Sequence, residues 1–140
     1  MALNHNLQKQ MQELFGGSCL GYCYAYICGK TTAKELTKTF MQGWFDGYIC
    51  DNGYVAFPVC YLNDTCKCHV KIKDVLKYPI KSLDDLPNEY ELFVVEYKID
   101  PSAKESHFVV ASRFGVEFDP SGHSNTVEKG KPFSYRLLLY

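Results

Sequence analysis

Hydrophobic and polar positions change period along this chain, and the changes mark its elements. Leu3, Leu7, Met11 and Leu14 recur at helical spacing and predict the apolar stripe of a surface helix. Residues 19–28, "CLGYCYAYIC", are apolar almost without a break, which predicts a helix buried all round, with Ser18 as N-cap and Gly29 as C-terminal cap. The segment "TTAKELTKTFMQGWF" predicts a second helix: Thr32 and Glu35 have capping-box spacing, Leu36, Phe40 and Trp44 fall on one face, and Gly43 and Gly47 mark its fraying end. Residues 48–64 are turn-rich, with "DNG" as a reversal signal.

Downstream the period shortens to two. In "TCKCHVKIK", Cys66, Cys68, Val70 and Ile72 alternate with Lys67, His69, Lys71 and Lys73, which predicts a half-buried strand with a basic outer side. "LDDLP" predicts a short helical turn, and 90–99, 107–112, 115–119 and 133–140 predict strands, with Asp100–Pro101 and Asp119–Pro120 as breakers. Helices first and an antiparallel sheet afterwards is the α+β pattern.

Composition narrows the class. The 140 residues fit one domain, 1–140, with no internal repeat or long linker; 46% are hydrophobic and 15% aromatic, mostly the 11 Tyr and 9 Phe. Fifteen basic against 16 acidic residues leave a net charge of −1, without the basic excess a nucleic-acid binder needs. No apolar run approaches the ~18 residues of a membrane-spanning helix, and "MALNHNLQKQMQELF" is too polar for a secretory signal. The expected address is a reducing cytoplasm. Seven cysteines, an odd number, match that address and predict free thiols.

Three residues could carry chemistry together. Cys19 opens the apolar helix directly after "GGS", where unpaired N–H groups and the helix dipole favour a thiolate. Its own N–H would be free to donate to an oxyanion. His107 opens the strand "HFVVAS"; a hairpin symmetric about Arg113 sets it directly opposite Asp119 of "GVEFDP", where a carboxylate can hold one imidazole nitrogen. Each residue also has a plain reading: Cys19 as core, His107 as a strand-end histidine, Asp119 as an Asp-Pro turn former. Cys23 and Cys28 are assigned to the core. A zinc site on Cys60, Cys66, Cys68 and His69 is disfavoured by its gaps, and because alternation points Cys68 and His69 to opposite faces.

The order "GGSCLGYCYAYI", then "SHFVVAS", then "EFDPSG" resembles papain-like-fold cysteine peptidases, in particular the bacterial double-glycine-leader (bacteriocin-processing) type and its small, uncharacterised phage-like relatives. The resemblance covers residues 16–28 and 105–122. It implies a papain-like fold with helices packed on the sheet, Cys19 as nucleophile, His107 as base, Asp119 as its orienting acid, a peptide or protein substrate, and no cofactor or metal. It also implies an oxyanion-stabilising Gln six positions before the cysteine. Here that position is Glu13, Gln12 lies one further back, and Leu20 follows the cysteine where the family has a small residue. "GYCYAY" offers a second register, with Cys23 as nucleophile. Two functions are therefore open: a Cys-His-Asp peptidase or amidase, and a degenerate member of the fold that binds without turnover.

Overall fold

The computed structural model describes residues 18–122 and 124–140; the predicted first helix and Gln12 lie outside the described residues. Helix α1 spans Cys19–Ile27 and α2 spans Ala33–Phe45. A short helix α3, Pro58–Cys60, runs into a π-helical turn at Tyr61–Thr65. Five strands follow: β1 (Asp74–Pro79), β2 (Phe93–Lys98), β3 (His107–Ser112), β4 (Gly115–Phe118) and β5 (Lys131–Leu139). A 3₁₀ turn at Leu83–Asp85 stands where "LDDLP" predicts one, and α4 (Asn125–Lys129) precedes β5. The strands form one sheet in the order β1-β5-β2-β3-β4, every neighbouring pair antiparallel. The α+β class, with helices ahead of an antiparallel sheet, is thus realised.

Both sheet faces are covered. Val94, Val110 and Phe118 pack against α1, α2 and the π turn through Tyr22, Phe40, Tyr61 and Leu62. On the other face Phe93, Val95, Val109 and Tyr135 pack with Ile80 and Leu86. β2 is central and buried on both sides, which is why Phe93, Val94 and Val95 are apolar in succession rather than in alternation.

Helix α1 owes its position to shape and to its tyrosines. At Gly21 a Cβ would lie 2.6 Å from the Phe40 ring, so only glycine lets α1 and α2 approach this closely. Tyr61 donates its hydroxyl to the Gly21 carbonyl (3.0 Å), Tyr22 shares a hydrogen bond with Thr37 (3.3 Å), and Tyr26 donates to Glu117 (2.9 Å). Tyr22 and Tyr61 bury their rings, Tyr26 only in part, while each polar tip finds a partner. The helix ends as expected at Gly29 (φ 104°), whose N–H bonds Tyr26 while Lys30 N–H bonds Ala25, a Schellman closure.

Three expectations are corrected. Gly43 does not mark fraying: it is buried inside α2 with the Tyr61 ring against it, and the helix closes at Gly47 (φ 86°). "TCKCHVKIK" is not a strand. The π turn ends when Cys66 N–H bonds Tyr61 O (2.8 Å), Lys67 takes a positive φ of 54°, and the Asn63 amide grips both backbone groups of Ile72 (2.8 Å each). Ile72 is sealed in the core but Val70 stands exposed, so tertiary anchoring overrides the alternation. Finally, the cysteines are not all free thiols: Cys28 and Cys68 form a disulfide, leaving Cys19, Cys23, Cys50, Cys60 and Cys66 free. The expected reducing cytoplasm loses the support it drew from seven thiols. No helix among the described residues is long and apolar enough to cross a membrane.

Candidate active site

A cleft of about 600 Å³ opens where the start of α1 meets the start of β3. Ser18, Cys19 and His107 line it together with Asn52, Gly53 and Tyr54 of the reversal loop. That loop is built as "DNG" predicts: Gly53 N–H bonds Cys50 O (2.8 Å), Gly53 has φ 86°, and the Asn52 side chain accepts from Tyr54 N–H (3.0 Å). Ser106, Ser121, Ser124 and Thr126 add hydroxyls to its lining.

Cys19 is the first residue of α1 and is partly exposed. The first intrahelical bond runs from Tyr22 N–H to Ser18 O (3.2 Å), so the preceding N–H groups of the turn have no acceptor within the helix. Ser18 holds the N-cap position but makes no side-chain cap; its buried Oγ has no hydrogen-bond partner among the described residues. Cys23, one turn later, is fully buried, and burial, with the charges of Cys19 and Asp119 beside it, pushes its thiol well above the usual value. Of the two registers, only Cys19 places its sulfur on the cleft.

His107 lies at the first position of β3, paired across to Tyr97 of β2. Its Nε2 is 2.7 Å from Asp119 Oδ1, with the two side chains only 13% and 10% exposed. The Cys19 side chain also acts on this ring, favouring its charged form. With Nε2 committed to Asp119, Nδ1 is the nitrogen that remains for the thiol. Burial disfavours a charged ring here. The Asp119 hydrogen bond, together with the Cys19 side chain and the Asp119 carboxylate acting on the ring, outweighs it, and the His107 pKa is raised from 6.5 to about 9. Asp119 is held below its ordinary value: burial alone would raise it, but the His107 hydrogen bond and charge and two hydrogen bonds from Ser121 prevail.

Sequence reading brings the right pair together for an incomplete reason. The hairpin is not symmetric about Arg113. Ser112 pairs with Gly115 across a two-residue turn, Ala111 with Val116, and then Val110 with Phe118, leaving Glu117 as an extra residue on β4. His107 and Asp119 are not directly opposed, because ladder pairing stops at Phe118. The extra residue changes the phase of the strand. Without it Asp119 would project from the opposite side of the sheet to His107; with it, both belong to one side. Asp119 then opens a turn closed by Gly122 N–H to Asp119 O (2.9 Å).

Two supports went unread in the sequence. Ser121 donates its N–H (3.0 Å) and hydroxyl (2.8 Å) to Asp119 Oδ1, and its Oγ lies 3.4 Å from His107 Nε2. The Asp-Pro-Ser spacing is a signal for such a turn. Glu96, buried in β2, receives a hydrogen bond from Ser134 (2.7 Å), with Arg136 and Lys77 nearby at 3.9 and 3.6 Å; burial raises its carboxyl, but Ser134, Ser106 (the residue before His107) and these cations hold it below the ordinary value. No local pattern announces that network, since its members come from four separate segments.

The zinc reading does not survive the geometry. Cys68 is spent in the disulfide and Cys66 is sealed in the core, where burial raises its thiol to about 12 even though the Tyr61 hydroxyl beside it opposes the rise. No cluster of three or more His, Cys, Asp or Glu side chains able to hold a metal occurs among the described residues.

The chain matches no protein-family model, no curated protein and no solved structure. The arrangement is therefore read on its own chemistry: a thiol at a helix start, an imidazole against it, and a carboxylate behind the imidazole.

Proposed function

We propose that the protein is a thiol hydrolase of papain-like fold that cleaves a peptide or amide bond by acyl transfer. The observation that carries this reading is the His107 ring held between the Asp119 carboxylate, at 2.7 Å, and the Cys19 thiol on the wall of an open cleft. A ring whose pKa is about 9 is protonated at neutral pH, which suits an imidazolium paired with a thiolate.

The Cys19 sulfur attacks the carbonyl carbon, and its N–H, at the helix start, is placed to donate to the developing oxyanion. The His107 proton passes to the leaving nitrogen as the C–N bond breaks, giving a thioester. A water then gives one proton to His107 as its oxygen attacks the thioester carbon; the C–S bond breaks, the carboxylic acid product departs with the water's other proton, and the Cys19 sulfur and protonated His107 are restored. Asp119, steadied by Ser121, keeps the ring oriented throughout. Gln12, proposed as an oxyanion donor, lies outside the described residues and takes no part in this derivation. The reading carries with it a peptide or protein substrate, no nucleic-acid or membrane partner, no cofactor, and a cytoplasmic address.

Site-resolved labelling with iodoacetamide near pH 6 tests it. Cys19 should be alkylated far faster than the four other free cysteines, and the advantage should vanish in His107→Ala. Equal, slow labelling of all five rejects the proposal. Leu20 after the cysteine and Glu13 at the expected glutamine position favour a second reading, a protein that binds a peptide in this cleft without cleaving it. A Cys19→Ala protein that retains a partner and its cellular role supports that reading over hydrolysis.

A further inference from the structure

A larger groove lies on the sheet face away from α1 and shares no lining residue with the cleft. It encloses about 880 Å³ between the end of β1, the turn after β2 and the start of β5. Tyr78, Ile80, Ile99, Phe133 and Tyr135 form its walls. Ile99 is 58% and Tyr78 41% exposed, so apolar surface that could have been buried is left facing the groove.

Charge at its rim is one-sided. Lys81, Lys98 and Lys131 surround it, against one acid, Asp85. The Asp85 carboxylate is already engaged, accepting the N–H groups of Lys81 (3.1 Å) and Ser82 (3.2 Å). Lys98 is pinned to the wall: its ammonium donates to Ala103 O (2.8 Å) and stands 4.6 Å from the Phe133 ring centroid. Apolar walls with a few fixed polar groups, in a volume of this order, are the makings of a small-ligand site.

The backbone argues about the class of ligand. Pro79, Pro101 and Pro132 all line the groove, and none of them has an N–H to offer. An extended peptide would find few ladder partners here, whereas a hydrocarbon chain needs none. We infer that this groove binds a single-chain amphiphile with a carboxylate head, its chain along the Ile99–Phe133 walls and its head among Lys81, Lys98 and Lys131. The site is independent of the thiol chemistry.

Titration of the intact protein with anilinonaphthalene sulfonate, an apolar aromatic anion, followed by competition with laurate, tests the inference. The dye should fill one saturable site, and laurate should displace it at a concentration about tenfold below that needed for dodecanol, its uncharged counterpart. Lys81→Gln with Lys131→Gln, both exposed positions, should weaken laurate about tenfold. Ile99→Asp, also exposed, should abolish the dye signal while leaving the unfolding temperature and Cys19 labelling unchanged. The inference is overturned by non-saturable dye binding, by a signal indifferent to Ile99→Asp or to the lysine pair, by equal competition from dodecanol, or by displacement that only an acidic peptide or anionic phospholipid vesicles achieve.

Discussion

His107 sits between two groups that favour its charged form. Asp119 holds Nε2 at 2.7 Å, and the Cys19 side chain acts on the same ring. The dominant physical fact is that a buried ring remains charged: burial opposes the charge, and the two partners overcome it. Asp119→Asn keeps the shape and removes the charge, so the imidazole titration, followed by NMR, should fall from about 9 by at least roughly one unit. The linkage has a definite sign. The folded state holds this proton more tightly than the unfolded chain. The stabilisation is complete below the ordinary value of 6.5 and is lost as pH rises through about 9. Denaturant unfolding of the wild type should therefore show stability declining across that window, and the decline should flatten in His107→Gln. On the acid side Asp119 is lowered, so its contribution is present above the unfolded carboxyl value and disappears as pH falls through the folded one.

At the scale of an element, the bulge in β4 decides whether the triad exists. Glu117 has no cross-strand partner, and that single residue moves Asp119 to the side of the sheet that carries His107. Deleting Glu117 should leave a foldable hairpin but send Asp119 to the wrong face. The expected result is a His107 titration well below 9 and loss of the rapid Cys19 labelling, with the circular-dichroism signature of the sheet kept. Retention of both properties would show that the turn at Asp119, not the bulge, sets the pair. The packing of α1 on α2 makes a second prediction. Gly21→Ala gains helix propensity worth up to about 1 kcal/mol, but its methyl would stand 2.6 Å from a Phe40 ring that has no exposed surface into which to swing. Overpacking should win, with a net loss of about 1–2 kcal/mol in urea unfolding.

Across the whole molecule, the Cys28–Cys68 disulfide ties the end of α1, the helix that begins at Cys19, to the irregular segment after the π turn. It closes a loop of sequence separation 40, for which the chain-entropy account gives a stabilisation of about 2–4 kcal/mol. Cys28→Ser with Cys68→Ser should lower unfolding free energy by that amount. The fast labelling of Cys19 should persist, because the bond sits at the far end of α1 from the thiol.

Periodicity and breakers alone placed α1, α2 and strands β2 to β5, because buried helices and central strands leave strong local patterns. Cys19, His107 and Asp119 were legible because each stands at an element boundary with a recognisable neighbour: "GGS" before the cysteine, an apolar run after the histidine, a proline after the aspartate. What the chain could not declare is everything that depends on contact between distant segments. The alternation in 65–73 is overridden by the Asn63 clamp on Ile72 and by Cys68 bonding Cys28, 40 residues away. The register of β4 depends on a bulge whose extra residue resembles its neighbours, and Cys23 is excluded as the cleft thiol only once the core closes over it. Local pattern determines which elements form; the free energy that selects register, disulfide partner and exposed sulfur comes from long-range packing, and only the folded chain supplies it.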